Sequence, residues 1–419
     1  EEPCKSVPPR GARRATDIFR RNRLFCFDWR ENMVITYLLL LLFSMNFMLC
    51  GKYFLSAIFV GQCIKNKRIR IDAKFCVISA FALVYAIVVF ATANKVSIDV
   101  LFLPVAYVFG LNMKAISGDK YKLPFAVFIC LALGMCSHVF LNCVTEIIKN
   151  GGFNYGAVHY DFWSGQVSSS TGQMINFTFA AALLTYSVMK RGKNLLMLLL
   201  IVPCLIYGAI VGSRTAIMVS VISLAVGIIV LAVNAKSRRA RVSLIFVLLL
   251  VFMVYIVIKY DVFGISSMLN KSYLFTRFDN SLSDKNGFFS TERWEIKAGY
   301  IRNAFQYPWG GGKIRHLMGG DYAHDLILDT LNEGGIFSSV LLVAYLIMWI
   351  KSIVKFVRRS DSLDIKVLFI PFLTVSLIQM TLEPILDGAP VFMMCLVLLD
   401  GVITNVNRMR NENEDSISV

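Results

Sequence analysis

The stretch Lys236-Ser237-Arg238-Arg239-Ala240-Arg241, then Val242 to Lys259, then the polar run that opens at Tyr260, decides the fold. A cluster of cations is followed by an apolar segment of roughly bilayer-spanning length. A long hydrophilic segment lies beyond it. Basic residues anchor one end of such a span on the cytoplasmic side, so the Tyr260 to Gly335 stretch falls on the other side of the membrane.

Working outward, the same alternation recurs along the chain. Hydrophobic residues make up 57%, charged residues only 17%, and the mean hydropathy is +0.63, outside the range of soluble domains. Apolar runs fall near residues 33–50, 52–64, 75–93, 97–113, 123–144, 173–190, 195–211, 215–233, 242–259, 336–350, 366–383 and 389–405. The sequence therefore predicts an all-α integral membrane protein with about 12 transmembrane helices. Strand-like alternation, which a β-barrel requires, is absent from these runs.

The net charge of +16 would suggest a nucleic-acid partner in a soluble protein. Here the cations cluster in alternate connections, at 65–70, 114–122, 190–193, 236–241, 351–359 and 408–410. They read as topology signals, and no nucleic acid is expected. The intervening connections, 94–97, 145–171, 212–215, 260–335 and 384–390, are poorer in clustered positives. This places both termini in the cytoplasm and the long loop outside, with the lipid bilayer as the chain's solvent.

The expected organisation is a basic extension over 1–32, helices over 33–259, the large periplasmic loop over 260–335, C-terminal transmembrane helices over 336–405 and a cytoplasmic tail over 406–419. The first 32 residues read either as an extension ahead of Met33, the expected natural start, or as a cytoplasmic basic tail, and they carry no signal-peptide cleavage pattern. Ten cysteines lie mostly within apolar runs without a C-x-x-C pair. They read as packing, with neither a disulfide framework nor a zinc site. Pro104, Pro203 and Pro371 are expected within spans, where neighbouring helices can re-satisfy freed backbone groups.

Three features on the outer side could carry chemistry. Gly212-Ser213-Arg214-Thr215 sets a guanidinium between two membrane helices, where an arginine either snorkels or meets an anion such as a phosphate. The large loop holds eight Lys or Arg. Among them, Arg277 follows Phe275-Thr276, and Arg293 lies in a predicted amphipathic helix capped by Ser290, with Trp294, Ala298, Ile301 and Phe305 on one face and an end before Pro308. For scattered loop arginines surface solvation is the usual role; convergence with Arg214 would suit a diphosphate and the charge that develops on it.

The third feature is His324 in Ala323-His324-Asp325, at the mouth of a re-entering helix. It is either a general base or a structural histidine, and His316 is its internal comparison. Asp325 and Asp321 could orient it or cap the helix. Phe153, Tyr155, His159, Tyr160, Phe162 and Trp163 could stack on sugars or form an interfacial belt. Glu383 and Asp387 flank Pro384 as secondary candidates. Nucleotide-binding, zinc-protease and serine-hydrolase motifs are absent, and no carboxylate or histidine cluster suggests a metal.

Gly212-Ser213-Arg214-Thr215-Ala216, Arg293-Trp294 with Pro308-Trp309-Gly310, and Ala323-His324-Asp325 with Glu333-Gly334-Gly335-Ile336 together resemble the O-antigen ligase and polymerase family of bacterial envelope enzymes. The likeness covers about Gly212 to Phe337 directly, and Asp325 stands where relatives commonly carry Asn. It implies a GT-C-like, inverting, metal- and cofactor-independent glycosyltransferase of the bacterial inner membrane, active on the periplasmic face. The partners it implies are undecaprenyl-diphosphate-linked oligosaccharide donor and acceptor, with a chain-length regulator left open. Arg214 and Arg293 would act catalytically and, with Arg277, bind the diphosphate; His324 would activate the acceptor hydroxyl. Tyr322-Ala323 before the histidine favours a repeat-unit polymerase over a ligase acting on lipid A–core. A flippase is the alternative of another class, and it would carry ionisable groups at midplane on discontinuous helices.

Overall fold

The structure is a computed structural model that describes residues 29–66, 69–93, 97–113, 121–152, 158–190, 196–234, 291–417 and, one by one, 242, 245, 249, 252, 256, 259 and 260. Arg277, Ser290, Phe153, Tyr155 and the first 28 residues lie outside the described part.

In chain order the helices are α1 (Trp29–Ser44), α2 (Gly51–Asn66), α3 (Ala73–Ala93), α4 (Ile98–Leu101), α5 (Leu103–Leu111) and α6 (Lys122–Asn150). A ribbon of β1 (Val158–Tyr160) and β2 (Val167–Ser169) follows, antiparallel with His159 opposite Ser168. Then come α7 (Ser170–Ile175), α8 (Phe177–Lys190), α9 (Leu198–Ile210), α10 (Arg214–Asn234), α11 (Thr291–Asn303) and α12 (Lys313–Leu317). The chain closes with α13 (Leu326–Arg358), α14 (Leu363–Leu382), α15 (Ile385–Gly388) and α16 (Pro390–Ile417). The all-α expectation thus needs one amendment, the short ribbon, whose backbone groups pair locally where the chain leaves α6.

Among the described residues, six helices are long and apolar enough to cross a membrane: α3, α6, α10, α13, α14 and α16. Four shorter apolar helical stretches accompany them. The chain is a multi-pass membrane protein. Run and helix boundaries differ in places. Helix α16 continues past residue 405 to Ile417, so no break separates it from the expected tail. Pro104 lies in the first turn of α5, where its missing N–H breaks no helical bond. Pro203 and Pro371 are inside α9 and α14.

Helix α16 is the central column, buried against α5 and α13. Its approach to α5 is set by two glycines. A Cβ on Gly110 would sit 2.2 Å from the Leu398 carbonyl oxygen, and one on Gly401 would sit 2.2 Å from that of Tyr107. Small residues let the two backbones touch, which supplies packing where lipid offers no hydrophobic drive. Beside this contact lies a buried ion pair: Lys74 Nζ reaches both carboxylate oxygens of Asp400 at 2.7 and 2.9 Å, Ser352 at 2.6 Å and Thr404 at 3.1 Å. Tyr345 donates to the same carboxylate at 3.1 Å.

The connections sort to two ends of the bundle. At one end Arg70 pairs with Asn112, Tyr121 donates to the Arg359 carbonyl, Lys190 meets Asp364 and Lys366 meets Asn234. These are the lysine- and arginine-rich connections. At the other end Thr215 bonds Glu383, Arg315 bonds Asp387, Gly172 lies against Gly388 and Gly311 against Thr92. Every candidate site residue that is described belongs to this second end.

Candidate functional site

Helix α13 begins where the chain turns back toward the bundle. Asp325 caps it, its Oδ1 accepting from the N–H groups of Ile327 and Leu328 at 3.0 and 3.2 Å. One turn later the buried Asp329 accepts from the N–H of Ala323 at 3.0 Å and of Asp325 at 3.1 Å. Between these two clamped peptides His324 is held at φ +52°, a left-handed conformation that a non-glycine residue adopts only under constraint. The clamp aims the imidazole at the end of α14. There the fully buried Glu383 presents Oε2 at 3.7 Å from His324 Nδ1. Both atoms are buried and lack a hydrogen-bond partner among the described residues.

The other carboxylate oxygen of Glu383 ties in the second motif. Thr215 donates its hydroxyl to Oε1 at 2.6 Å. Thr215 is the second residue of α10 and follows Arg214, whose guanidinium is half-buried at the start of that helix. The turn before it is built by Gly212 at φ +74° and by Ser213, whose N–H bonds the Gly208 carbonyl at 2.9 Å. Glu383 therefore joins the Gly212–Thr215 turn to the His324 turn across 168 and 59 residues of sequence.

Lys297 is a site residue that the sequence reading missed. On α11 it donates to the Thr381 carbonyl at 2.5 Å and lies 3.7 Å from Asp325 Oδ2. Arg293 is one turn earlier on the same helix, hence on the same flank. An i, i+4 pair of cations was the available signal. Arg277 falls outside the described residues, so its place relative to this group is not part of the geometry.

A second ionic group lies beside the first. Arg315 is bound between Glu333 at 3.0 Å and Asp387 at 3.2 Å, and its guanidinium stacks over the Tyr322 ring at 3.7 Å. Burial opposes its charge, but Glu333, Tyr322 and Asp387 outweigh that and hold its pKa above the ordinary arginine value. Tyr300, pushed up to about 12 chiefly by burial, bonds the Asp321 carbonyl at 2.7 Å. Arg315 is thus neutralised by protein carboxylates.

The kink of α13 joins these groups. Gly335 has φ +76° and ψ −179°, and Ile336 N–H turns away from the helix to the Pro308 carbonyl at 2.8 Å. Gly311 and Gly312 N–H groups bond the Glu333 and Asn332 carbonyls at 3.0 and 2.8 Å. The Gly310-Gly311-Gly312 segment, a run of three glycines that in sequence alone reads as a flexible link, is therefore pinned on the kink.

Among the described aromatic candidates of the 145–171 connection, His159 and Trp163 serve the framework. His159 is fully buried with Nδ1 2.9 Å from Glu146, which also accepts from Tyr207 at 2.8 Å. Trp163 donates to the Met45 carbonyl at 3.1 Å and packs edge-on to Phe162 and Phe47. Asp161 bonds His138 at 2.7 Å and Ser164 at 2.8 and 2.9 Å. Burial opposes its charge, but these bonds together lower its pKa to about 2.

Chemically, the arrangement offers an imidazole backed by a buried carboxylate, a guanidinium at a neighbouring helix start and two cations on a loop helix. That set can take a proton from a hydroxyl and hold an anionic leaving group. No protein-family model matches this chain, and no curated protein matches it either.

Proposed function

We propose that this chain is an inverting glycosyltransferase of the O-antigen ligase and polymerase kind, joining glycans carried on undecaprenyl diphosphate at the periplasmic face of the inner membrane. The observation that carries the proposal is the meeting of the Arg214–Thr215 turn and His324 on one buried carboxylate, Glu383.

In this reading an acceptor hydroxyl attacks the anomeric carbon of the donor sugar as His324 takes its proton. The anomeric carbon–oxygen bond breaks, and its electron pair leaves with the lipid diphosphate, which Arg214 and Arg293 stabilise. Glu383 holds the imidazole in place and balances the positive charge it gains. In-line displacement inverts the anomeric centre. The sugar is already activated by its glycosyl ester bond to a diphosphate leaving group, so neither nucleotide sugar nor further cofactor enters the scheme.

A transporter reading draws on the ion pair Lys74–Asp400 within the spans and on the broken helix at Gly335. That ion pair, however, is satisfied by Ser352, Thr404 and Tyr345, which is how a structural pair is built. Purified protein in proteoliposomes containing only lipid-linked repeat units separates the readings. A ladder of longer glycans is the expected result. Transfer only after lipid A–core is added identifies a ligase instead, and movement of the lipid without a new glycosidic bond identifies a transporter.

A further inference from the structure

The apolar stripe of the loop helix is present, but it points away from the protein. The inner face of α11 carries Ile296 and Tyr300, packed with Ile314, Met318 and Ala323. On the outer face Trp294 and Ile301 are 62% and 60% exposed, and Phe305, in the turn just past the helix end at Asn303, is 82% exposed. Trp309, 66% exposed and four residues after Phe305, packs its ring 5.8 Å from that of the exposed Phe337 on membrane helix α13. Beside this pair lies an apolar groove of about 350 Å³ lined by α13 and by Val84 and Val88 of α3. The stripe therefore runs into the surface that a bilayer has to cover.

Its height is fixed as well. Lys297 ties α11 to the last turn of α14, and Asp325, its other partner, caps α13. The helix thus lies where two membrane helices end. Arg302, next to Ile301 on α11, and Lys313, at the start of α12, are both exposed.

We propose that α11 is an interfacial helix, with Trp294, Ile301 and Phe305 seated in the headgroup–acyl boundary of the bilayer and Arg302 and Lys313 toward its phosphates. Bulky apolar groups on one face and cations at its margin are the pattern that binds such a boundary. The consequence is specific to the site. Arg293 and Lys297 ride on this helix, so the contacts that fix its height set these two cations at the level of the bilayer's headgroups.

The test uses the full chain in nanodiscs. Subtracting the tryptophan emission of a Trp294→Phe chain from that of the unaltered chain isolates Trp294. Phosphatidylcholine brominated near the headgroup end of its acyl chains should quench this component by more than about half, and bromines near the terminal methyl should quench it less. Acrylamide in the water should quench it weakly. An unquenched component overturns the proposal in either form: open to acrylamide, the face is in water; closed to it, the face is covered by protein, whether another part of the chain or a second copy. The result does not depend on the glycosyltransferase reading, which can fail while this one stands.

Discussion

Replacing Gly335 by alanine tests whether the kink of α13 organises the site. Its φ of +76° with ψ of −179° belongs to a region essentially confined to glycine, and a side chain there costs on the order of 1–3 kcal/mol. The new Cβ would also stand 2.6 Å from the Pro308 carbonyl oxygen and 2.9 Å from the Trp309 carbonyl carbon. Both are backbone atoms, so relief requires lifting the 308–312 segment off the kink. Three hydrogen bonds then open, from Ile336, Gly311 and Gly312, at about 1 kcal/mol each. The combined destabilisation is about 4–6 kcal/mol. Gly319→Ala is the control: its φ is +74°, but nothing lies within 4 Å of the added Cβ, so only the left-handed backbone penalty of about 1–2 kcal/mol applies. Reversible unfolding in mixed micelles, followed by circular dichroism, compares the two. Equal destabilisation of the two variants would refute the clamp.

Other outcomes follow from individual contacts. Lys74→Met should destabilise by about 3–5 kcal/mol because it strands a buried carboxylate, whereas Lys74→Met with Asp400→Leu should recover most of the loss; a double-mutant cycle in the same unfolding assay measures this. Asp161, whose pKa is about 2 against an ordinary 3.8, stabilises the folded state at every pH above about 4. That contribution of about 2 kcal/mol disappears as pH falls from about 4 to 2, so Asp161→Asn should flatten the acid limb of the thermal-stability profile. Glu383→Ala should reduce glycan transfer by about 100-fold or more in the proteoliposome assay, while His316→Ala, at an exposed position on α12, should leave it within a few-fold.

The membrane character and the two-ended sorting of connections were legible because each rests on short stretches: an apolar run is local, and so is a lysine–arginine cluster. The capping role of Asp325 was legible for the same reason, being adjacent to the helix it starts. The stripe of α11 was visible as a period, but the period cannot say whether protein or lipid covers it. Glu383 stood only as a secondary candidate, since its meeting with His324 and Thr215 arises from the packing of α10, α13 and α14. Asp329 was overlooked because an aspartate inside an apolar helix start shows no sign of clamping the turn before it. The Gly310–Gly312 segment was misread as slack because glycine suits both a free linker and a backbone-on-backbone contact.

The most direct measurement is a cryo-electron microscopy structure of the chain in nanodiscs with a polyprenyl diphosphate sugar bound. The account predicts diphosphate density against the guanidinium groups of Arg214 and Arg293, with the sugar beside His324. Density at the opposite end of the bundle, among the lysine-rich connections, would contradict it.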